Sequence, residues 1–285
     1  MDIIQVITKE LNVEKWQVEA AVKLIDEGCT IPFISRYRKE ATGSLNDEQL
    51  RTLHERLTYL RNLEEKKNQV LGSIEEQGKL TAELKKQILD AQTLVVVEDL
   101  YRPFRPKRRT RAIIAKEKGL EPLANIIMLQ MTDKPIEEEA QDFVSEEKGV
   151  ETVADAINGA KDIIAEHISD EADYRIYLRK LTMDKGSVAS AAKKPEEASV
   201  YEMYYEFEEP IKKLAGHRVL ALNRGEKEKI LTVKVNAPEE EAMGWLQKQV
   251  ITKENPITKP ILREVVEDSY KRLIAPAIER EIRSD

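Results

Sequence analysis

The apolar positions of this chain recur mostly at helical spacing. Ile3, Ile4, Ile7 and Leu11 fall three to four residues apart and predict a short first helix. Asn12 is placed to cap a second helix carrying Trp16, Ala20, Leu24 and Ile25 on one face, with Gly28 as its left-handed stop. A compact helix is expected around Ile31-Pro32-Phe33-Ile34, because proline in a first turn forfeits no hydrogen bond.

The strongest pattern begins at Asn46. With Gln49 it makes a capping box, and no Gly or Pro interrupts the run until Gly72. Leu50, Leu53, Leu57, Leu60, Leu63, Val70, Leu71 and Ile74 keep helical spacing, and the run ends near Gly78. Such a helix is about 45 Å long at 1.5 Å per residue, long enough to act as a strut. Thr81 to Gln92 reads as its antiparallel partner. Thr93 to Leu100 is ambiguous: three consecutive valines suit a strand, whereas Leu94, Val97 and Tyr101 share a helical face.

Further helices are expected over Arg111–Lys118 and Glu121–Met131, and several over the acidic run Glu137–Asp173. Another is expected over Ser199–Leu214, where Tyr201, Tyr204, Tyr205 and Phe207 are read as packing residues. Ile230–Val235 is the best strand candidate, followed by helices over Glu239–Val250 and Ile257–Ile282. The fold class is therefore mainly α: multi-helical, with a long central helix and at most a small β element near 229–235. Four regions follow, 1–45, 46–131, 132–215 and 216–285. The last helix runs to Asp285 with no closing element, the expectation for the N-terminal portion of a longer protein.

Composition narrows the function classes. The chain has 285 residues, 35% charged and 41% hydrophobic, with a net charge of −7, so a uniformly basic nucleic-acid-binding surface is excluded and a local one is not. Cys29 is the single cysteine, which rules out an intrachain disulfide, and it is expected to be buried. The first residues lack a signal peptide, and no stretch approaches the roughly 20 apolar residues of a membrane span. A cytoplasmic protein without a membrane partner is expected.

Against that acidic background, Arg102-Pro-Phe-Arg-Pro-Lys-Arg-Arg-Thr-Arg111 holds six basic side chains in ten residues and no acidic one. Pro103 and Pro106 are expected to keep it extended. Two uses stay open. Arg102, Arg105, Lys107, Arg108, Arg109 and Arg111 either contact several phosphates or clamp carboxylates of neighbouring acidic helices. A second cluster, Arg36-Tyr37-Arg38-Lys39, ends its short helix, where cations also complement the helix dipole. A third basic stretch, His217-Arg218 to Arg224-Gly225-Glu226-Lys227, suggests a helix-to-strand junction with a turn at Arg-Gly-Glu. His54, His167 and His217 are far apart, and no phosphate loop or dinucleotide fingerprint appears. No catalytic residue, metal ligand or cofactor is assigned, and the chain is read as no enzyme.

Several long motifs carry a family resemblance. Ile31-Pro-Phe-Ile-Ser-Arg-Tyr-Arg-Lys-Glu-Ala-Thr-Gly43 resembles the opening of the Tex family of bacterial transcription accessory proteins. The likeness continues at Leu57-Thr-Tyr-Leu-Arg61, Ile74-Glu-Glu-Gln-Gly-Lys-Leu-Thr81 and Glu98-Asp-Leu-Tyr-Arg-Pro-Phe-Arg-Pro-Lys-Arg-Arg-Thr110. Gly119-Leu-Glu-Pro-Leu-Ala124, His217-Arg-Val-Leu-Ala221 and Arg224-Gly-Glu226 complete it. The resemblance implies a cytoplasmic, RNA- or DNA-binding protein associated with transcription, and kinship with a eukaryotic elongation factor that handles histones. It also implies helix-turn-helix elements here, with RNase-H-like, helix-hairpin-helix and OB-fold RNA-binding domains outside this chain. The leading expectation is a non-enzymatic, nucleic-acid-binding scaffold. Its candidate phosphate contacts are the basic segment together with Arg36, Arg38 and Lys39. The alternative is a protein-interaction scaffold that positions downstream domains or touches RNA polymerase.

Overall fold

Most helices in the N-terminal third of the chain start where a side-chain oxygen accepts the first free backbone N–H groups. In the computed structural model, which describes residues 1–285, the chain divides into two units, Met1–Phe104 and Arg105–Asp285. In the first, Asp2 caps α1 (Ile3–Leu11). Asn12 takes left-handed backbone, φ 52°, and closes α1 instead of capping α2 (Lys15–Asp26), which starts from a Glu14–Gln17 capping box. The buried side of α2 is Val18, Ala21 and Val22, and Trp16 stands 52% exposed. At about 100° per residue Trp16 lies well away from the buried set, while Ala20, Leu24 and Ile25 are half-buried, so the core face is rotated from the expected one. Cys29 is half-buried rather than enclosed.

Thr30 caps α3 (Ile31–Tyr37), with Pro32 in its first turn. The single turn α4 (Lys39–Thr42) ends at Gly43, whose φ of 64° is left-handed. There a Cβ would meet the Trp16 and Gln17 side chains, so glycine is required both for conformation and for space.

The long helix forms as its pattern predicts. Asn46 and Gln49 exchange hydrogen bonds of 2.8 and 3.0 Å at the start of α5 (Asp47–Glu76). Its buried stripe runs Leu50, Leu53, Leu57, Leu60, Leu63, Lys67, Val70 and Ile74. Lys67, only 1% exposed, donates from Nζ to the Leu89 carbonyl at 2.7 Å on α6 (Ala82–Asp90). Bidentate pairs tie α5 outward: Arg56 to Glu10 at 2.7 and 2.8 Å, and Arg61 to Asp26 at 2.7 and 2.9 Å. The Arg61 hydrogen bond holds the Asp26 carboxyl below its ordinary range. The ambiguous valines are helical, in α7 (Leu94–Tyr101), because the Thr93 hydroxyl accepts from the Val96 N–H and starts a helix there.

The second unit opens with α8 (Arg111–Glu117), α9 (Glu121–Leu129) and α10 (Ile136–Gln141), packed on α11 (Val153–Asp170). Small residues set that packing, with Ala112 and Ala115 of α8 buried with Ala156 and Ala160 of α11. α12 (Ala172–Lys185) leads into a three-stranded antiparallel sheet of order β2-β1-β3. The strands are β1 (Ser187–Ala192), β2 (Glu206–Pro210) and β3 (Leu231–Asn236), with α13 (Gly216–Lys227) between the last two. Ser190 lies opposite Phe207 on one side and Val233 on the other. The chain finishes with α14 (Glu239–Val250), α15 (Thr258–Asp268), a π turn at Ser269–Ile274 and α16 (Ala275–Ser284). The widened turn stands directly before Pro276, which cannot supply a helical N–H.

The protein is mainly α with one small β element, as expected. The sequence, however, predicts a helix over Ser199–Leu214 that does not form. Glu206-Phe-Glu-Glu-Pro210 alternates between exposed and half-buried positions and pairs with β1. Tyr201 and Tyr204 are buried against Val188, Leu222, Leu231 and Val233 under the sheet. Arg224-Gly-Glu226 is likewise no turn but part of α13. No helix is long and apolar enough to cross a membrane.

Gly225 of α13 is closely enclosed. A Cβ there falls 2.6 Å from Leu231 Cδ1 and 2.9 Å from its Cγ, and Leu231 is fully buried. Gly225→Ala gains up to about 1 kcal/mol of helix propensity. Overpacking against Leu231 costs about 1–3 kcal/mol, so the net expectation is a loss. Urea unfolding monitored by Trp245 fluorescence should show a lower midpoint; an unchanged or raised midpoint would mean Leu231 can move aside.

Candidate nucleic-acid interface

The basic segment is built from three local devices. Arg102–Phe104 is a turn of 3₁₀-helix, and residues 105–110 have no regular structure, so the run is extended only in its second part. Gln77 donates to the Phe104 carbonyl at 2.9 Å, fixing the end of the turn, and Arg102 is half-buried there. Within the second unit Thr110 caps α8: its hydroxyl accepts from the Ile113 N–H at 3.2 Å and itself reaches Glu166 at 3.4 Å.

Lys107 is committed to the fold. Its Nζ lies 3.2 Å from Glu166 Oε1 and also bonds Asp170, two carboxylates one turn apart on α11, and all three side chains are largely buried. The distribution of the remaining cations is uneven. Arg109 pairs in the open with Glu117 at 2.8 Å. Arg105, Arg108 and Arg111 are exposed, and neither Arg108 nor Arg111 enters an ion pair. Arg111 borders a cleft of about 310 Å³ together with Lys118, Asp155, Asn158 and Asp162. Burial raises the Asp162 carboxyl above its usual range, outweighing the opposing attraction of Arg272 and Arg111.

In the first unit, Arg36, Arg38 and Lys39 are exposed, and none forms an ion pair. Arg36 lies in the last turn of α3, Arg38 links the two short helices, and Lys39 begins α4. The Arg38 guanidinium sits 5.1 Å from the Phe33 ring centroid and donates to the Tyr37 carbonyl at 3.0 Å. Sequence reasoning left the clamping of carboxylates open as one of two uses but did not single out Lys107, for which Glu166 and Asp170, four residues apart on a predicted helix, were the available signal. It also placed Trp16 in the core, whereas the ring lies beside Gly43 at the end of α4.

Residues 1–75 match the family described as Tex-like protein N-terminal domain, and residues 131–285 match the one described as Tex central region-like. The chain belongs to the Tex family. This Tex-family chain is 49% identical over 284 residues to the protein YdcI of Bacillus subtilis, covering 99% of itself and 40% of that protein. It is 41% identical over 235 residues to the transcriptional accessory protein Tex of Neisseria gonorrhoeae, covering 82% of itself and 31% of the relative. It is also similar to the human S1 RNA-binding domain-containing protein 1, at 31% identity over 299 residues, 99% of this chain and 30% of the other. The chain thus spans less than half the length of the relatives it matches.

The division of labour among the cations is testable by stability alone. Lys107→Ala removes the amine that Glu166 and Asp170 share in a largely buried site and should cost about 1–3 kcal/mol. Arg108→Ala, at an exposed unpaired position, should stay within about 0.5 kcal/mol of the parent. Equal effects in denaturant unfolding would contradict the assignment. Asp162 predicts a pH dependence. Because its folded-state pKa is raised, the native chain binds its proton before the unfolded chain does, so this group adds stability as pH falls toward the ordinary carboxylate range. Asp162→Asn should therefore raise the melting temperature at neutral pH, by a margin that shrinks on acidification. A margin independent of pH between 7 and 4 would rule this out.

Proposed function

We propose that this chain is a non-enzymatic, nucleic-acid-binding scaffold of a cytoplasmic transcription accessory protein. In each unit, exposed cations contact the sugar-phosphate backbone. The observation that carries the reading is local: in a chain of net charge −7, Arg36, Arg38 and Lys39, and likewise Arg108 and Arg111, remain exposed without an ion pair. Unpaired cations grouped within a few residues are what phosphate contact requires, since each must be free to displace a condensed counterion. The names of the relatives support the same direction, one as a transcriptional accessory protein and one as a protein with an S1 RNA-binding domain. Helix-turn-helix elements within residues 46–131 belong to this proposal. Lys107 is left out of the contact surface, because its charge is spent on Glu166 and Asp170.

One observation favours the protein-scaffold alternative, with RNA polymerase among its candidate partners. Val200 at 89%, Met203 at 70% and Leu220 at 68% exposure leave large apolar side chains in water on the sheet-bearing part of the second unit.

The test is a titration of labelled single-stranded RNA and of duplex DNA with the 285-residue chain at 50 and 200 mM salt. Salt-sensitive binding is expected, and Arg108→Ala should weaken it for all sequences while flattening the salt slope by about 1 per lost duplex contact. Absence of binding at 50 mM salt would remove the reading and leave the protein scaffold.

A further inference from the structure

The basic cluster of the first unit is interleaved with aromatic rings that the core does not use. Phe33 and Tyr37 are four residues apart on α3 and so share a face, with ring centroids 5.4 Å apart and a tilt of 48°. Ile34 of the same helix is fully buried. Phe33 is 37% and Tyr37 62% exposed. One face of Phe33 is taken by the Arg38 guanidinium, which leaves the Tyr37 ring as the open one. Beyond Lys39, at the other end of α4, the half-exposed Trp16 ring lies against Gly43. α4 has four residues, so Lys39 and Gly43 are separated by about 6 Å along the helix axis. Gln17 locks that end, donating to the Thr42 and Gly43 carbonyls at 3.0 and 3.2 Å.

We propose that Tyr37, Phe33 and Trp16, flanked by Arg36, Arg38 and Lys39, form a stacking platform for an unpaired polynucleotide strand. The proposal rests on the nucleic-acid reading above and narrows it to single strands. Aromatic faces give affinity only to bases whose own faces are free, because the bases of a duplex are already stacked inside it. The three cations lack carboxylate partners and complement the phosphates of a strand whose bases lie on the rings. Their charge favours a polyanion over an apolar peptide as the occupant. The platform is also rigid, since Thr30 fixes the start of α3 and Gln17 fixes the end of α4. Little ordering entropy is then lost when a strand docks.

The experiment uses the 285-residue chain carrying Trp245→Phe, which makes Trp16 the sole tryptophan. Circular dichroism checks that each variant is folded. The chain is titrated with a 12-mer of oligo(U) and with a duplex DNA of the same length. The single strand should quench Trp16 fluorescence, and the duplex should not. Tyr37→Ala should weaken single-strand binding by about tenfold without changing its salt slope, because stacking releases no counterions. Tyr37→Phe should restore the affinity. Arg36→Ala should instead flatten the single-strand slope by about 0.7. If Tyr37→Ala and Phe33→Ala keep full single-strand affinity while Arg108→Ala loses it, the platform is overturned and the general reading stands. If the chain binds neither nucleic acid at 50 mM salt, both fail, and an apolar protein segment becomes the occupant to seek on these rings.

Discussion

The first unit depends on one desolvated stripe along α5. α1, α2, α3, α6 and α7 all pack on that helix, and the stripe has no break from Leu50 to Ile74 except a lysine. Lys67 is tolerated there because its stem is apolar and its amine ends on the Leu89 carbonyl, with Glu64 3.4 Å away. A charge so enclosed is costly unless its donors are used, so the same bond that makes Lys67 acceptable also fixes where α6 ends. The Arg56–Glu10 and Arg61–Asp26 pairs add little energy at their exposure, but their forked geometry sets the register of α1 and α2 against α5. The orientation of α3 follows from the same seam. Ile34 is the buried residue of α3, and Phe33 and Tyr37, four residues apart, share an adjoining face on which both rings reach water.

In the second unit α11 has the corresponding place, with α8, α9, α10, α12 and α15 against it. Its alanines admit close neighbours, and its C-terminal half carries Glu166 and Asp170 into a site largely closed to solvent. Two carboxylates one turn apart repel unless a cation lies between them, and Lys107 is that cation. The basic segment is therefore two things at once. Lys107 and Thr110 moor it, and that mooring holds the neighbouring arginines outside. A run of like charges is often read as one feature; here adjacent residues have opposite fates, decided by which of them meets α11.

What was legible in the sequence was what is decided locally. The cap at Asn46, the unbroken period and the length of α5 are all properties of one continuous stretch, and so are the limits of α14. Where two local patterns competed, the sequence reading had no means to choose. α2 carries one apolar set through Trp16, Ala20 and Leu24 and another through Val18, Ala21 and Val22, and only packing on α5 selects the second. β3 was legible in Ile230–Val235, but β1 and β2 were hidden for a different reason. β1 is built of serine and alanine around Val188, and β2 is mostly glutamate, so neither has the residues that favour strands. Their pairing is set by partners 15 to 49 residues away in the chain, as Glu206 and Asn236 are from Ala191 and Ser187 on β1, and local propensity carries no trace of it. The candidate site divides the same way. The clusters of cations were visible as clusters, but which of them are spent depended on carboxylates 59 and 63 residues distant.

The same distinction bears on how an acidic chain can meet a polyanion. Net charge acts over distances that salt cuts off, with a screening length of about 8 Å at physiological ionic strength. Within that radius the balance is set by immediate neighbours. Lys107 meets two carboxylates at once, so its charge is taken up within the fold. At Arg36, Arg38 and Lys39 there is no paired carboxylate, and the Phe33 ring, with Tyr37 next to it, stands 5.1 Å from the Arg38 guanidinium. The deficit of −7 is carried elsewhere, above all on the glutamates that begin α10 and α14. Such acids do not cancel a screened cluster. They raise the penalty for any nucleic acid that strays from it, so an acidic surface sharpens the location of binding more than it opposes the binding itself.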